Sequence, residues 1–204
     1  MKKLLLLLLV GCFAYGQNIK TELWKKPWKA QWITYSADGS ASIYNQSTLK
    51  EYGVYKFQRT VSLAAKPAKC IIHVSGDNRY KLYVNGTWVS AGPARGDLYF
   101  WNFETLDIAP YLKAGENKVE ALVWNEGKGK PEAQISFGTG FILQADDSSQ
   151  SDFNTGAGWI AAQNLSISPL QPRVPGYYVA GQGEYQEYAK GWSPFISAKS
   201  LGPG

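Results

Sequence analysis

Two cysteines and one histidine in 204 residues leave little material for metal centres or cross-links. Zinc sites draw their ligands mainly from Cys and His, so Cys12, Cys70 and His73 exclude a His-rich or Cys-rich zinc centre and any disulfide scaffold. No Asp-x-Asp-x-Asp loop is present, so no dedicated calcium site is expected, and no cofactor motif appears. Charge of either sign is also sparse: charged residues make up 18% of the chain, and 21 Lys+Arg against 16 Asp+Glu give +5. Two of those positive charges, Lys2 and Lys3, lie in an apparent targeting segment, so a basic surface for nucleic acid is not indicated. No apolar run approaches the roughly 20 residues of a membrane-spanning helix. What is plentiful is aromatic, with 8 Trp, 13 Tyr and 8 Phe, in a chain that is 45% hydrophobic. That is a globular composition, and a chain of this length buries roughly 70% of its unfolded surface in one core.

Residues 1–16 read as a signal peptide: a basic start, an apolar run from Leu4 to Val10, then small residues. Ala14-Tyr15-Gly16 offers a small-x-small cleavage pattern that leaves Gln17 first, while Leu9-Val10-Gly11-Cys12 offers a lipobox that leaves Cys12 acylated and anchored. Both imply export to the periplasm or beyond. Cys70 then stands unpaired within the apolar Cys70-Ile71-Ile72 and reads as a small core residue.

The remaining periodicity is that of strands. Tyr55, Phe57, Val61 and Leu63 alternate with Lys56, Gln58, Thr60 and Ser62; Tyr80, Leu82 and Val84 alternate with Lys81 and Tyr83, and Val119, Ala121 and Val123 with Lys118, Glu120 and Leu122. Ile135, Phe137 and Phe141 extend the same period to a further predicted strand, and Ser75-Gly76-Asp77-Asn78 reads as a turn cluster. Asn85-Gly86 predicts a tight hairpin, because both central residues of a type I′ turn need positive φ. One helical turn is expected over 107–112, with Asp107 as its cap. The expectation is an all-β antiparallel sandwich over 17–165. From 166 to 204, where Pro169, Pro172, Pro175 and Pro194 mingle with glycines, a linker or the start of a further domain is expected.

The residues offer little for catalysis. His73 sits in a β run and reads as a structural histidine, and Asp77 reads as a turn cap. Arg95-Gly96-Asp97 spells an adhesion tripeptide, but a buried or interdomain ion pair between Arg95 and Asp97 is the better reading. Asn45, Asn85 and Asn164 fit glycosylation patterns without functional weight, and the lysines at 20, 25, 26 and 29 read as a solvated edge. The cluster with most to offer is aromatic. Trp101 with Trp88, Tyr99, Asn102, Arg95 and Asp97 has the composition of a sugar-binding surface, in which rings stack on pyranose faces and polar groups read hydroxyls. The same patch suits packing against another domain, whereas Trp32, Tyr55, Trp124 and Trp159 read as core.

Several stretches resemble one family. Gly76-Asp77-Asn78-Arg79-Tyr80-Lys81-Leu82-Tyr83-Val84-Asn85-Gly86 is similar to the strand-turn-strand unit of galactose-binding-like jelly rolls. Gly92-Pro93-Ala94-Arg95-Gly96-Asp97, Trp101, the run from Glu104 to Asn117, Val123-Trp124-Asn125 and Thr139-Gly140-Phe141-Ile142-Leu143-Gln144 resemble the N-terminal domain of bacterial α-L-rhamnosidases. The resemblance implies a jelly-roll accessory domain of a secreted inverting glycosidase without its helical-barrel catalytic domain, so no catalytic residue carries over. It implies two partners, rhamnose-containing glycans or a downstream catalytic domain. A free-standing carbohydrate-binding protein and a purely structural spacer are the alternatives.

Overall fold

The computed structural model describes residues 20–35, 51–170 and 181–204. The signal and lipobox readings, the Asn45 pattern and Pro172 and Pro175 lie outside them. Two antiparallel sheets face each other. The first, of six strands, has the order β12-β9-β2-β7-β4-β5. Its strands are β2 (Gly53–Leu63), β4 (Arg79–Val84), β5 (Thr87–Gly92), β7 (Gly115–Asn125), β9 (Ile160–Gln163) and β12 (Ile196–Ser197). The second, of five strands, has the order β13-β1-β8-β3-β6. It comprises β1 (Gln31–Thr34), β3 (Ile71–Asp77), β6 (Glu104–Asp107), β8 (Gly140–Ala145) and β13 (Lys199–Pro203). A separate two-stranded ribbon joins β10 (Ile167–Pro169) to β11 (Glu184–Gln186).

The alternation in the sequence sets which side chains meet. In β2 and β7, paired from Gly53↔Asn125 to Leu63↔Gly115, Phe57, Val61, Val119, Ala121 and Val123 point inward and are buried. Ile72, Val74, Phe141 and Leu143 answer from β3 and β8, and Trp159 closes the core. Phe57 stacks on Phe141 at 5.9 Å between centroids. Each such aromatic contributes about 1.5–3 kcal/mol by leaving water. Cys70 is wholly buried beside them, and burial pushes its thiol up to about 11.

Local chemistry explains the connections. Asn85 (φ 51°) and Gly86 (φ 79°) form the expected hairpin. The Asn85 side chain also donates to the Tyr111 carbonyl and accepts from Lys118 N–H, tying the turn to its neighbours. The helical turn is a 3₁₀ turn over Ala109–Tyr111, with Asp107 accepting from Ala109 N–H and Cys70 N–H.

Three expectations need correction. The Ser75–Asn78 cluster is not a turn over its length: β3 runs through Asp77, and only Asn78 marks the crossing from the five-stranded to the six-stranded sheet. Buried Asp77 does not cap its own turn; it accepts from Ser136 Oγ–H and from the Phe137 and Gly138 N–H groups, some sixty residues away. Residues 134–139 are not strand, because these bonds hold them as a loop and β8 starts only at Gly140. The C-terminal stretch contributes short strands to both sheets. β12 extends the six-stranded sheet and β13 the five-stranded one, with Gly204 exchanging hydrogen bonds with Trp28 and Ala30. Both are edge strands, where Pro and Gly are tolerated.

Candidate functional site

Between β5 and β6 the chain leaves the six-stranded sheet and folds across the outer face of the five-stranded one. Trp32, His73, Ser75, Asp77, Gly140 and Ile142 lie on that face, because their strand neighbours Ile33, Val74, Phe141 and Leu143 point into the core. Trp32 is therefore not core, as alternation around Ile33 requires. It lies on the sheet at Gly140, where an added Cβ would stand 3.0 Å from the indole. Trp101, from the crossing segment, meets the Trp32 ring edge-on at 6.1 Å. Phe103 packs edge-on against Trp28 at 5.1 Å and His73 at 5.8 Å.

Polar bonds fix this segment. Asp97 accepts from Tyr99 N–H (2.8 Å) and Phe100 N–H (2.9 Å), an Asx turn that turns Leu98, Tyr99 and Phe100 outward. Tyr99 and Phe100 are 86% and 77% exposed. Asn102 donates to the Arg95 carbonyl at 2.9 Å, and its own carbonyl accepts from Ser75 Oγ–H at 2.7 Å. Glu104 accepts from Tyr80 O–H and Ala94 N–H, bracing the start of the segment. Burial and the Glu104 carboxylate push the Tyr80 phenol far above its ordinary range, so it stays protonated and donates to Glu104.

Two grooves of about 310 Å³ each flank Trp101 and share its ring and that of Trp32. One is closed by Leu98, Phe137, Leu201 and Pro203 above Asp77; the other by Leu23, Trp28, Phe100, Phe103 and Ile142 beside Ser75. Of the polar side chains along them, Asp77, Ser75 and Asn102 are engaged within the protein, and the Tyr99 hydroxyl stands exposed at the rim of the second. Asp77 accepts four bonds, including one from Asn78, while burial holds its carboxyl above the usual range. What the grooves present to a partner is ring face and aliphatic edge. The indole N–H of Trp101 is shielded from water and has no acceptor among the described residues.

His73 is structural, as expected. At 2% exposure it lies within 2.9 Å of Thr105 Oγ and 3.4 Å of Asp146, with Trp28 and Phe103 over it. Asp146 in turn pairs with Lys20 at 2.8 Å, so Lys20 does more than solvate an edge.

Of the six residues singled out in the sequence, Arg95, Asp97, Tyr99, Trp101 and Asn102 share this crossing segment. Trp88 does not: it stands opposite Tyr83 on the outer face of the other sheet, 60% exposed. Arg95 and Asp97 form no ion pair among the described residues, because the Asp97 carboxylate is occupied by backbone N–H groups. The Arg95 charge instead helps to lower the Glu126 carboxyl, which burial raises overall. Trp28, Trp32, Phe103, Phe137, Leu201 and Pro203 were not foreseen as lining. The signal for Trp32 was its place next to a core Ile; for Leu201 and Pro203 there was none, since they reach the groove only through β13.

No protein-family model matches this chain, and no curated protein matches it. Solved structures do. The GH78 family rhamnosidase of Bacillus sp. GL1 is similar over 88% of this chain and 19% of its own length, with a TM-score of 0.69 and 21% identity. The α-L-rhamnosidase from Dictyoglumus thermophilum is similar over 86% and 22%, with a TM-score of 0.55 and 17% identity. The likeness is one of fold, and this chain spans about a fifth of the length of those enzymes.

Proposed function

We propose that this chain is a non-catalytic N-terminal accessory domain of a secreted α-L-rhamnosidase-like glycoside hydrolase, acting as a scaffold against the rest of that enzyme through the Trp101 face. The observation that carries the reading is the chemistry of the two grooves. They offer mostly aromatic and aliphatic surface, while the Asp77 carboxylate and the Ser75 hydroxyl are bound internally and only the Tyr99 hydroxyl stands free at the rim. A sugar site needs convergent free polar groups, whereas an interdomain contact needs apolar knobs and hollows with few unsatisfied groups. The exposed Tyr99 and Phe100, held out by Asp97, are such knobs.

Hydrolysis is not this chain's part of the work on this reading. An inverting glycosidase places a general acid and a general base about 6.5 to 9.5 Å apart. Asp77 is the one carboxylate lining either groove, and its oxygens already accept four bonds. Two measurements test the proposal. Reading the gene past Gly204 should reveal a continuing frame with a helical catalytic region, and a stop codon there overturns it. With that region expressed separately, the chain should bind it, and Trp101→Ala or Tyr99→Ser/Phe100→Ser should weaken binding at least tenfold. Unchanged binding removes the Trp101 face from the interface.

A further inference from the structure

The outer face of the six-stranded sheet has the opposite chemistry. Its outward positions follow from the buried ones: Tyr80, Leu82, Val119, Ala121, Val123 and Phe57 point inward, so Lys81, Tyr83, Glu120, Leu122, Lys56 and Gln58 point out. Register puts Gln58 opposite Glu120, Glu120 opposite Tyr83, and Tyr83 opposite Trp88. At about 4.8 Å between strands, that row is about 14 Å long. In the adjoining row Lys56, Leu122 and Lys81 stand side by side.

An antiparallel sheet ordinarily turns a polar face to water, so polarity by itself decides nothing. Two features set this face apart. The first is Trp88, 60% exposed at the end of the row yet held in place, its indole N–H donating to the Ser90 carbonyl at 3.1 Å. A second exposed indole, Trp192, receives the Lys56 ammonium at 4.6 Å. The face thus displays aromatic rings at low entropic cost. The second feature is that its polar groups are available. The Tyr83 hydroxyl, the Gln58 amide and the Lys81 ammonium have no hydrogen-bond or ion-pair partner among the described residues. Glu120 is flanked by Lys118 at 3.0 Å and Lys56 at 4.0 Å, so the one carboxylate in the row stands among three lysines once Lys81 is included. The row itself carries only the Glu120 charge, and the lysines of the rows on either side, Lys56, Lys81 and Lys118, put positive charge in excess around it.

We infer that the outer face of the six-stranded sheet binds a carboxylate-bearing polysaccharide strand, laid along the Gln58–Glu120–Tyr83–Trp88 row. One sugar ring stacks on Trp88, hydroxyls bond to Tyr83 and Gln58, and the strand's carboxylates pair with Lys81 and its neighbours. The excess of lysine selects an acidic strand over a neutral one, and the fixed ring selects a sugar over a bare polyanion. This inference stands apart from the Trp101 face, which lies on the other sheet.

The test uses the full chain and a purified oligogalacturonate as probe, followed by calorimetry and by salt titration. Binding should be saturable, and it should weaken as salt rises toward 0.5 M, where screening is nearly complete over a row of this length. Carboxyl-reduced oligomer of the same length should bind at least tenfold more weakly. Trp88→Ala should weaken binding at least tenfold without changing net charge, Lys81→Ala about three- to tenfold, and Trp101→Ala not at all. Circular dichroism of each variant should match the parent, and Trp88→Tyr should restore part of the affinity if folding of Trp88→Ala is impaired. Absence of binding, equal binding of the reduced oligomer, insensitivity to Trp88→Ala, or equal binding of single-stranded DNA would each overturn the inference.

Discussion

The two outer faces of this sandwich share a core and differ in what they do with their polar groups. On the five-stranded sheet a crossing segment folds back over Trp32, and Ser75, Asp77 and Asn102 are bound inside the protein, leaving rings to line two grooves. On the six-stranded sheet nothing comparable among the described residues folds over the Gln58–Trp88 row, and among those residues Tyr83, Gln58 and Lys81 remain available. The lesson is that aromatic content alone does not mark a ligand site. Trp101 and Trp88 are both accessible tryptophans, yet the groups beside them suit one to a protein surface and the other to a hydroxyl-rich strand.

The sharpest way to break that contrast is to remove a polar anchor from each face. Asp77→Ala should cost about 3–5 kcal/mol, since it deletes a buried carboxylate and strands the donors of the 136–138 loop. Lys81→Ala, on an exposed and unpaired side chain, should stay within about 0.5 kcal/mol. Chemical denaturation measures both, and comparable losses would mean that the faces are not built differently. A smaller effect is expected at the hairpin that leads into Trp88. Gly86→Val puts a β-branched residue at φ 79° and should cost about 1–3 kcal/mol. An unchanged melting temperature would show that the turn is not held as described.

Much of this architecture was legible before any coordinates. The core strands announced themselves because Phe57, Tyr80 and Leu82 recur at period two between Lys56, Gln58, Arg79, Lys81 and Tyr83, and Asn85-Gly86 has few other uses than a tight turn. The site was legible in composition and only partly in place. Neighbours in sequence, from Arg95 to Asn102, stay together, but Trp88 parts from them because the chain changes sheets between β5 and β6. The long-range partners were not readable at all. Nothing local to Asp77 signals that its bonds lie at 136–138; of the edge strands, β12 is only two residues long, too short to show a period, and β13 carries Gly202 and Pro203 where periodicity would otherwise show. Ile135 and Phe137 misled for the same reason: their alternation is real, but bonds to Asp77 hold that stretch off the sheet.

The smallest expected effect sharpens the comparison by pH. His73, the chain's one histidine, sits on the five-stranded face under Trp28 and Phe103. Burial lowers its pKa from the ordinary 6.5, opposed by its contact with Asp146 and reinforced by the charge of Lys20. Below 6.5 the unfolded chain therefore binds a proton that the folded chain resists, so stability contributed by neutral His73 is present above that value and declines as pH falls through it. The parent protein should lose melting temperature gradually between about pH 7 and pH 5.5, a window set by the unfolded histidine. His73→Gln keeps a hydrogen-bonding side chain between Thr105 and Asp146 but cannot titrate, so its melting temperature should be flatter over the same window. Equal slopes in the two proteins would remove His73 as the cause. Because the six-stranded face carries no histidine among its described residues, oligogalacturonate binding should not follow this window, and a parallel decline would couple two faces that the structure keeps apart.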